Sequence, residues 1–184
     1  KTLTNAIVRL GFECTMDEVI FPFMNRTGVL WATGAVNITQ EHFISNLIRR
    51  KLSVAIDSTL SPVSTKAKRF ALFLPESETH ELLLLFTEFL LRARGHHVAY
   101  IGSSVPVGEL EFLKQTFRPD VIVTYIIVPT HEMPIDEYLS QLSSIFATQK
   151  VIIGGAQITS LANPYANLCL VKSQEDLKQI IDSI

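Results

Sequence analysis

Two acid–histidine pairs and one tryptophan carry most of the chemistry this sequence offers. Glu78 and His80 stand two apart in the stretch Leu74-Pro-Glu-Ser-Glu78-Thr-His80-Glu-Leu-Leu83. An imidazole there can give one ring nitrogen to a metal while a nearby carboxylate holds its other N–H. Such a partnership fixes the tautomer and makes the ring more basic. The plainer reading is an acidic, solvated helix start in which His80 is incidental. Glu41 and His42 are adjacent, and Trp31 precedes them across nine intervening residues. The plainer reading of these is a core aromatic and an acid favoured by the helix dipole.

Helices must position the second group. The break Gly34-to-Asn37 separates two helical patterns, which puts Trp31 at the end of one helix and Glu41-His42 on the first turn of the next. The three side chains are then expected to converge on one concave surface. Leu3, Ile7, Val8 and Leu10 keep a helical period up to Gly11. Thr15-x-x-Glu18 reads as a capping box opening a second helix, which Pro22 kinks or restarts. A third helix starts near Thr39 with Phe43, Ile44, Leu47, Ile48 and Leu52 on its apolar face, and Arg49-Arg50-Lys51 reads as a basic trio at a helix C-terminus.

The period changes after a polar, proline-bearing stretch at Ser58–Lys66, which places a boundary between a helical-bundle cap, residues 1–60, and an α/β domain, residues 61–184. Beyond it, Phe70–Leu74, Val98–Ile101, Val121–Val128, Val151–Ile153 and Leu168–Val171 are short apolar runs. Amphipathic segments lie between them near 79–94, 106–117, 135–147 and 173–183, with a weak one near 157–162. This alternation predicts a flavodoxin-like, Rossmann-type five-stranded parallel sheet in the order 2-1-3-4-5, with ligands at the carboxyl ends of its strands. The Glu78–His80 loop follows the first strand and so falls at such an end. His131 also follows a strand's carboxyl end and reads as a surface loop residue. His96 and His97 stand at the opposite end and read as solvated turn residues.

Composition narrows the classes. The 184 residues are 47% hydrophobic and 18% charged, enough apolar content for a sizeable core. Sixteen Lys and Arg against 18 Asp and Glu do not make the basic excess of a nucleic-acid-binding surface. Cys14 and Cys169 lack metal-site spacing. Neither a leader pattern nor a membrane-length apolar run is present, so a reduced, cytoplasmic setting is expected. The start at Lys1, directly in a helical pattern, reads as a fragment of a longer chain.

Trp31, nine residues, then Glu41-His42, with Pro22, Gly28, Gly34 and Phe43 around them, resembles the helical cap of MerR-type transcriptional regulators that sense light through adenosylcobalamin, the CarH/LitR type. The α/β half resembles cobalamin-binding domains. Their hallmark is an acid, any residue, His, two residues and Gly, met here by Glu78-x-His80. Ser-x-Leu in the third strand and Gly-Gly after the fourth correspond to Thr124-Tyr125-Ile126 and Gly154-Gly155. The resemblance implies a cofactor, adenosylcobalamin, between cap and α/β domain. Trp31, Glu41 and His42 would line the adenosyl side, and His80 would be the lower axial ligand of the metal. The nucleotide tail would thread past Leu83, Thr124, Ile126, Gly154 and Gly155.

Three positions depart from the pattern. Leu83 replaces the hallmark glycine. On a helix it would share a face with His80, and overpacking there costs about 1–3 kcal/mol, or about ten- to a hundredfold in affinity. Tyr125 occupies the middle of the tail motif. Ala32 stands where light-sensing members place an upper histidine. The expected function is the sensory part of a MerR-like regulator, not an enzyme, whose cofactor controls homo-oligomerisation and DNA binding by an N-terminal domain absent from this chain. Two alternatives stay open: a cofactor-free descendant acting as a dimerisation or interaction module, and a corrinoid carrier for a methyltransferase.

Overall fold

Where the hydrophobic period changes from helical to alternating, the chain divides into two units, Lys1–Ser58 and Thr59–Ile184. The computed structural model describes residues 2–32, 34–35, 37–129, 133–163 and 165–184, with only the backbone of Trp31 and Ala32.

The first unit is helical: α1 (Thr2–Leu10), α2 (Phe12–Thr15), a π-helical turn (Met16–Ile20), α3 (Phe21–Ala32) and α4 (Ile38–Asp57). The expected capping box at Thr15 is absent. The Thr15 hydroxyl instead donates to the Gly11 carbonyl one turn back, at 2.7 Å, because the backbone is already helical there. Pro22 lies in the first turn of α3, directly after the π turn. It has no N–H for the carbonyl four residues earlier, and a wider turn accommodates both the missing bond and the ring. The capping box belongs to α4. Asn37 Oδ1 accepts from the Gln40 amide at 2.9 Å, and Gln40 Oε1 accepts from the Asn37 amide at 3.1 Å. Gly34, at φ 75°, closes α3 in the left-handed conformation, and the Ala35 amide reaches back to the Leu30 carbonyl.

The α4 helix runs beyond the Arg49-Arg50-Lys51 trio to Asp57, so the trio lies within the helix rather than at its C-terminus. The reason is Leu52, fully buried one residue later, which keeps the apolar stripe going. Ile48 and Leu52 form that stripe, whereas Phe43 and Leu47, expected on it, are exposed.

The second unit carries β1 (Arg69–Pro75), α5 (Leu82–Ala93), β2 (His97–Val105), α6 (Leu110–Phe117), β3 (Val121–Tyr125), α7 (Ile135–Ile145), β4 (Lys150–Gly154), β5 (Leu168–Leu170) and α8 (Gln174–Asp182). The strands form a parallel sheet in the order β2-β1-β3-β4-β5. Its central strands are buried on both faces, as parallel pairing between helical layers requires. One face joins Ala71, Phe73, Ile122, Ile126 and Ile153 to α6 and α7. On α5 the hydroxyl of Thr87 meets Tyr125 of β3, and α8 is tied to α5 by the Arg94–Asp182 pair.

Residues 58–66 have no regular structure, but they are fastened to the end of α5. Ser61 Oγ donates to the Ala93 carbonyl at 2.9 Å, and the Ser64 amide to the Gly95 carbonyl at 3.0 Å. His96 is half-buried, not solvated. Its Nδ1 accepts from the Lys68 amide at 3.2 Å, and burial, then the Arg94 and His97 charges, hold its pKa below the usual histidine value. His131 lies outside the described residues. Among the described residues no helix is long and apolar enough to cross a membrane.

The two leucines of α4 make a test of this core. Leu52→Ala is expected to cost about 2–5 kcal/mol and the exposed Leu47→Ala less than about 1 kcal/mol. Urea unfolding of the two variants, followed by helical circular dichroism, checks the contrast.

Candidate functional site

β1 ends at Pro75, and the chain then spends six residues, 76–81, outside any helix before α5 begins at Leu82. The expected helix from 79 therefore starts later, and His80 stands on a loop instead of sharing a helical face with Leu83. What holds the loop is the carboxylate of Glu78, which is fully buried. One oxygen, Oε1, accepts from His80 twice: from its backbone amide at 3.0 Å and from Nδ1 at 2.6 Å. The other, Oε2, accepts from the amides of Ile127 at 2.8 Å and Val128 at 3.0 Å. These amides lie just past the end of β3. Of residues 126–128, expected to continue that strand, Ile126 still donates to the Gly154 carbonyl, and Ile127 and Val128 leave the ladder because their amides turn to Glu78.

Four N–H donors on one buried carboxylate decide its charge. Burial pushes its pKa up, but the His80 side-chain bond, the His80 amide and the Val128 and Ile127 amides outweigh burial and bring it down to about 2. An ionised carboxylate only accepts, so Nδ1 of His80 carries the proton it shares with Oε1. In the neutral ring Nε2 then holds the lone pair. The His80 side chain is 52% exposed while that of Glu78 is 0% exposed. The pair thus presents a basic ring nitrogen on a fixed, buried anion, the preparation a metal-binding imidazole needs.

The loop is fixed from β2 as well. The Ser77 amide donates to Ser104 Oγ at 3.2 Å, and the Ser104 amide to the Glu78 carbonyl at 3.2 Å. Ser77 (φ 66°) and Ser104 (φ 57°) both adopt the left-handed region, an uncommon conformation for residues with a side chain. The site lies where the chain leaves β1 and β3, neighbouring strands whose connections depart in opposite directions, the place where such sheets bind ligands.

The remaining expected residues fall in different surroundings. Thr124 and Ile126 are buried, Ile126 in the α6–α7 core. Tyr125 points to α5 and is buried above Gly154, its partner in the β3–β4 register. A Cβ on Gly154 would stand 2.5 Å from Cε1 of the Tyr125 ring, and one on Gly155 2.2 Å from the Ile126 carbonyl oxygen. Leu83 is half-buried, so the space over Gly154 is filled by Tyr125 and not by a buried leucine. Reading the sequence alone missed Thr87 and the amides of Ile127 and Val128. Backbone amides leave no trace in a motif, and Thr87 matters only through its distance to Tyr125.

In the helical unit, Trp31 belongs to the last turn of α3, and its side chain is outside the described residues. Glu41 is in the first turn of α4, with His42 Nδ1 at 3.0 Å from Glu41 Oε2. The His42 side chain is 65% exposed and that of Glu41 24% exposed. Cys14 and Cys169 are unpaired. Among the described residues no group of three or more His, Cys, Asp or Glu is placed to hold a metal, so the ligation the loop offers is a single nitrogen.

This sheet and its flanking helices have the fold of corrinoid-binding proteins. The monomethylamine corrinoid protein of Methanosarcina barkeri superposes at a TM-score of 0.65, with 12% identity over 88% of this chain and 78% of that one. The methanol:cobalamin methyltransferase complex MtaBC of the same organism superposes at 0.53, with 18% identity over 98% of this chain and 70% of that one. Residues 2–56 match the family model described as the B12 binding domain. The chain is 27% identical to the HTH-type transcriptional repressor CarH of Myxococcus xanthus over 145 residues, which are 78% of this chain and 48% of the repressor. It thus spans about half the length of that curated relative, and the match, being longer than the helical unit, continues into the α/β unit. The resemblance drawn from the sequence and the α + α/β fold class both stand: residues 2–56 match the B12 binding domain, and the chain is similar to CarH.

The buried anion makes a pH signature. In the unfolded chain Glu78 titrates near 4.5, and in the folded one near 2. Its contribution, on the order of 3 kcal/mol, is therefore complete above pH 4.5 and is lost as pH falls towards 2. Urea unfolding at several pH values should show wild type more stable than Glu78→Gln at pH 7, the gap narrowing below pH 4.5. A gap independent of pH would remove the ionised carboxylate from the account.

Proposed function

We propose that this chain is the corrinoid-binding sensory part of a transcriptional regulator, with His80 as the axial ligand of the metal. The observation that carries the reading is the Glu78 carboxylate, which fixes the His80 ring and keeps Nδ1 protonated. The kinship to a transcriptional repressor and the B12 binding domain match over residues 2–56 support it. A bound corrinoid would supply a cobalt centre. The protein's part is to aim one imidazole nitrogen and to hold the ring on Glu78, whose other oxygen is anchored by the amides of Ile127 and Val128.

Trp31, Glu41 and His42 are assigned to the upper side of the cofactor, with adenosylcobalamin as the form bound. This assignment rests on the resemblance of Trp31, nine residues, then Glu41-His42 to the helical cap of cobalamin-sensing regulators. DNA contact is assigned to a segment outside these 184 residues, since the net charge of −2 does not suit a phosphate-binding surface. Control would run through self-association governed by the cofactor. A second reading, a cofactor-free interaction module, draws on one specific observation, the Tyr125 ring that fills the space over Gly154.

The test is the visible spectrum of the purified chain after incubation with adenosylcobalamin, compared with His80→Ala. The expected result is a histidine-coordinated spectrum in wild type and its loss in the variant, with affinity lowered by at least about tenfold. Unchanged spectrum and affinity in His80→Ala would remove His80 from the metal.

A further inference from the structure

Between α5 and the carboxyl ends of β3 and β4, the space over Gly154 is taken by one side chain. Tyr125 leans over Gly154, and its ring stands where any Cβ on that glycine would be. Its hydroxyl lies 2.7 Å from Thr87 Oγ1. The single proton of Thr87 goes to the Leu83 carbonyl, at 2.8 Å, so the tyrosine is the donor of the pair. Burial, against the smaller pull of the Thr87 bond, raises the phenol to about 12, which keeps it a neutral donor. The bonds form a chain from β3 through α5 to the first turn of that helix, within three residues of His80. Gly154 therefore makes room for a ring of this protein itself.

The loop and the groove give opposite answers about a cobalamin. The Glu78–His80 pair suits axial ligation, whereas the groove expected to take the nucleotide tail is occupied by a buried, hydrogen-bonded ring. We propose that Tyr125 makes the His80 site prefer corrinoids without a nucleotide tail, so that a tailed corrinoid, adenosylcobalamin included, is held by His80 only when its tail displaces the ring and therefore more weakly. This rests on the corrinoid-binding reading above and deepens it. Admitting a tail requires the ring to swing out, giving up its burial and the bond to Thr87, an expected weakening of about a hundredfold.

The test titrates the full chain, by visible absorbance, with cobinamide, which lacks the nucleotide, and with hydroxocobalamin, which carries it. Wild type is expected to bind cobinamide at least about tenfold more tightly. Tyr125→Phe keeps the ring and should keep the preference. Tyr125→Ala should tighten hydroxocobalamin by about tenfold or more and change cobinamide by less than about threefold. Tyr125→Val, suited to a strand, serves if the alanine variant does not fold. Equal affinity of wild type for both ligands, or an unchanged ratio in the small-residue variant, would overturn the selectivity and leave corrinoid binding intact. Binding gained for both ligands together in Tyr125→Ala, with none in wild type, would also overturn it. Failure of both ligands in every folded variant would overturn the corrinoid reading as well.

Discussion

A buried carboxylate with four hydrogen-bond donors organises this molecule's candidate site. Ionised, Glu78 accepts from all four donors, and together these bonds outweigh the cost of its burial. Its two oxygens divide the work, one holding His80 and the other the backbone past β3. The loop after β1 and the end of β3 are thereby a single electrostatic unit. A histidine on a mobile loop pays an ordering cost each time it binds, and this one is ordered beforehand. That is why a side chain half open to solvent can still have a defined ring orientation.

The same constraint explains where the regular elements stop. β3 ends at Tyr125 and α5 waits until Leu82 because the intervening backbone serves Glu78 instead of the ladder or the helix. Propensity had little say there. The Ile126-Ile127-Val128 run would suit a strand by composition, and the amides of Ile127 and Val128 are claimed by a charge from the neighbouring connection.

The strand–helix alternation was legible because buried parallel strands read as short apolar runs whatever their neighbours do. The acid–histidine pair was legible because both members lie within three residues of one another. Long-range contacts were not. The direction of Tyr125 depends on which sheet face position 125 takes, and its effect depends on Gly154 and Thr87, both about thirty or more residues away in the sequence. Capping was misplaced for a related reason. Thr15-x-x-Glu18 and Asn37-x-x-Gln40 are similar as patterns, and only the extended backbone of Asn37, φ −89° and ψ 162°, separates a cap from a mid-helix threonine. Arg49-Arg50-Lys51 was read as a terminus because charge is visible and the burial of Leu52 is not.

The packing of Tyr125 on Gly154 also orders the mutations by which such a groove can change its occupant. While the tyrosine is present, any side chain at 154 collides with its ring, so position 154 is locked. Once 125 becomes small, the glycine is free either to accept a larger residue or to face an empty groove. An ancestor with an open groove could therefore acquire the ring in one step without touching its glycines. The reverse path must also begin at 125, never at 154. A Gly-Gly pair in a relative of this chain is thus compatible with both histories, and the residue that distinguishes them is the one paired beside it on β3.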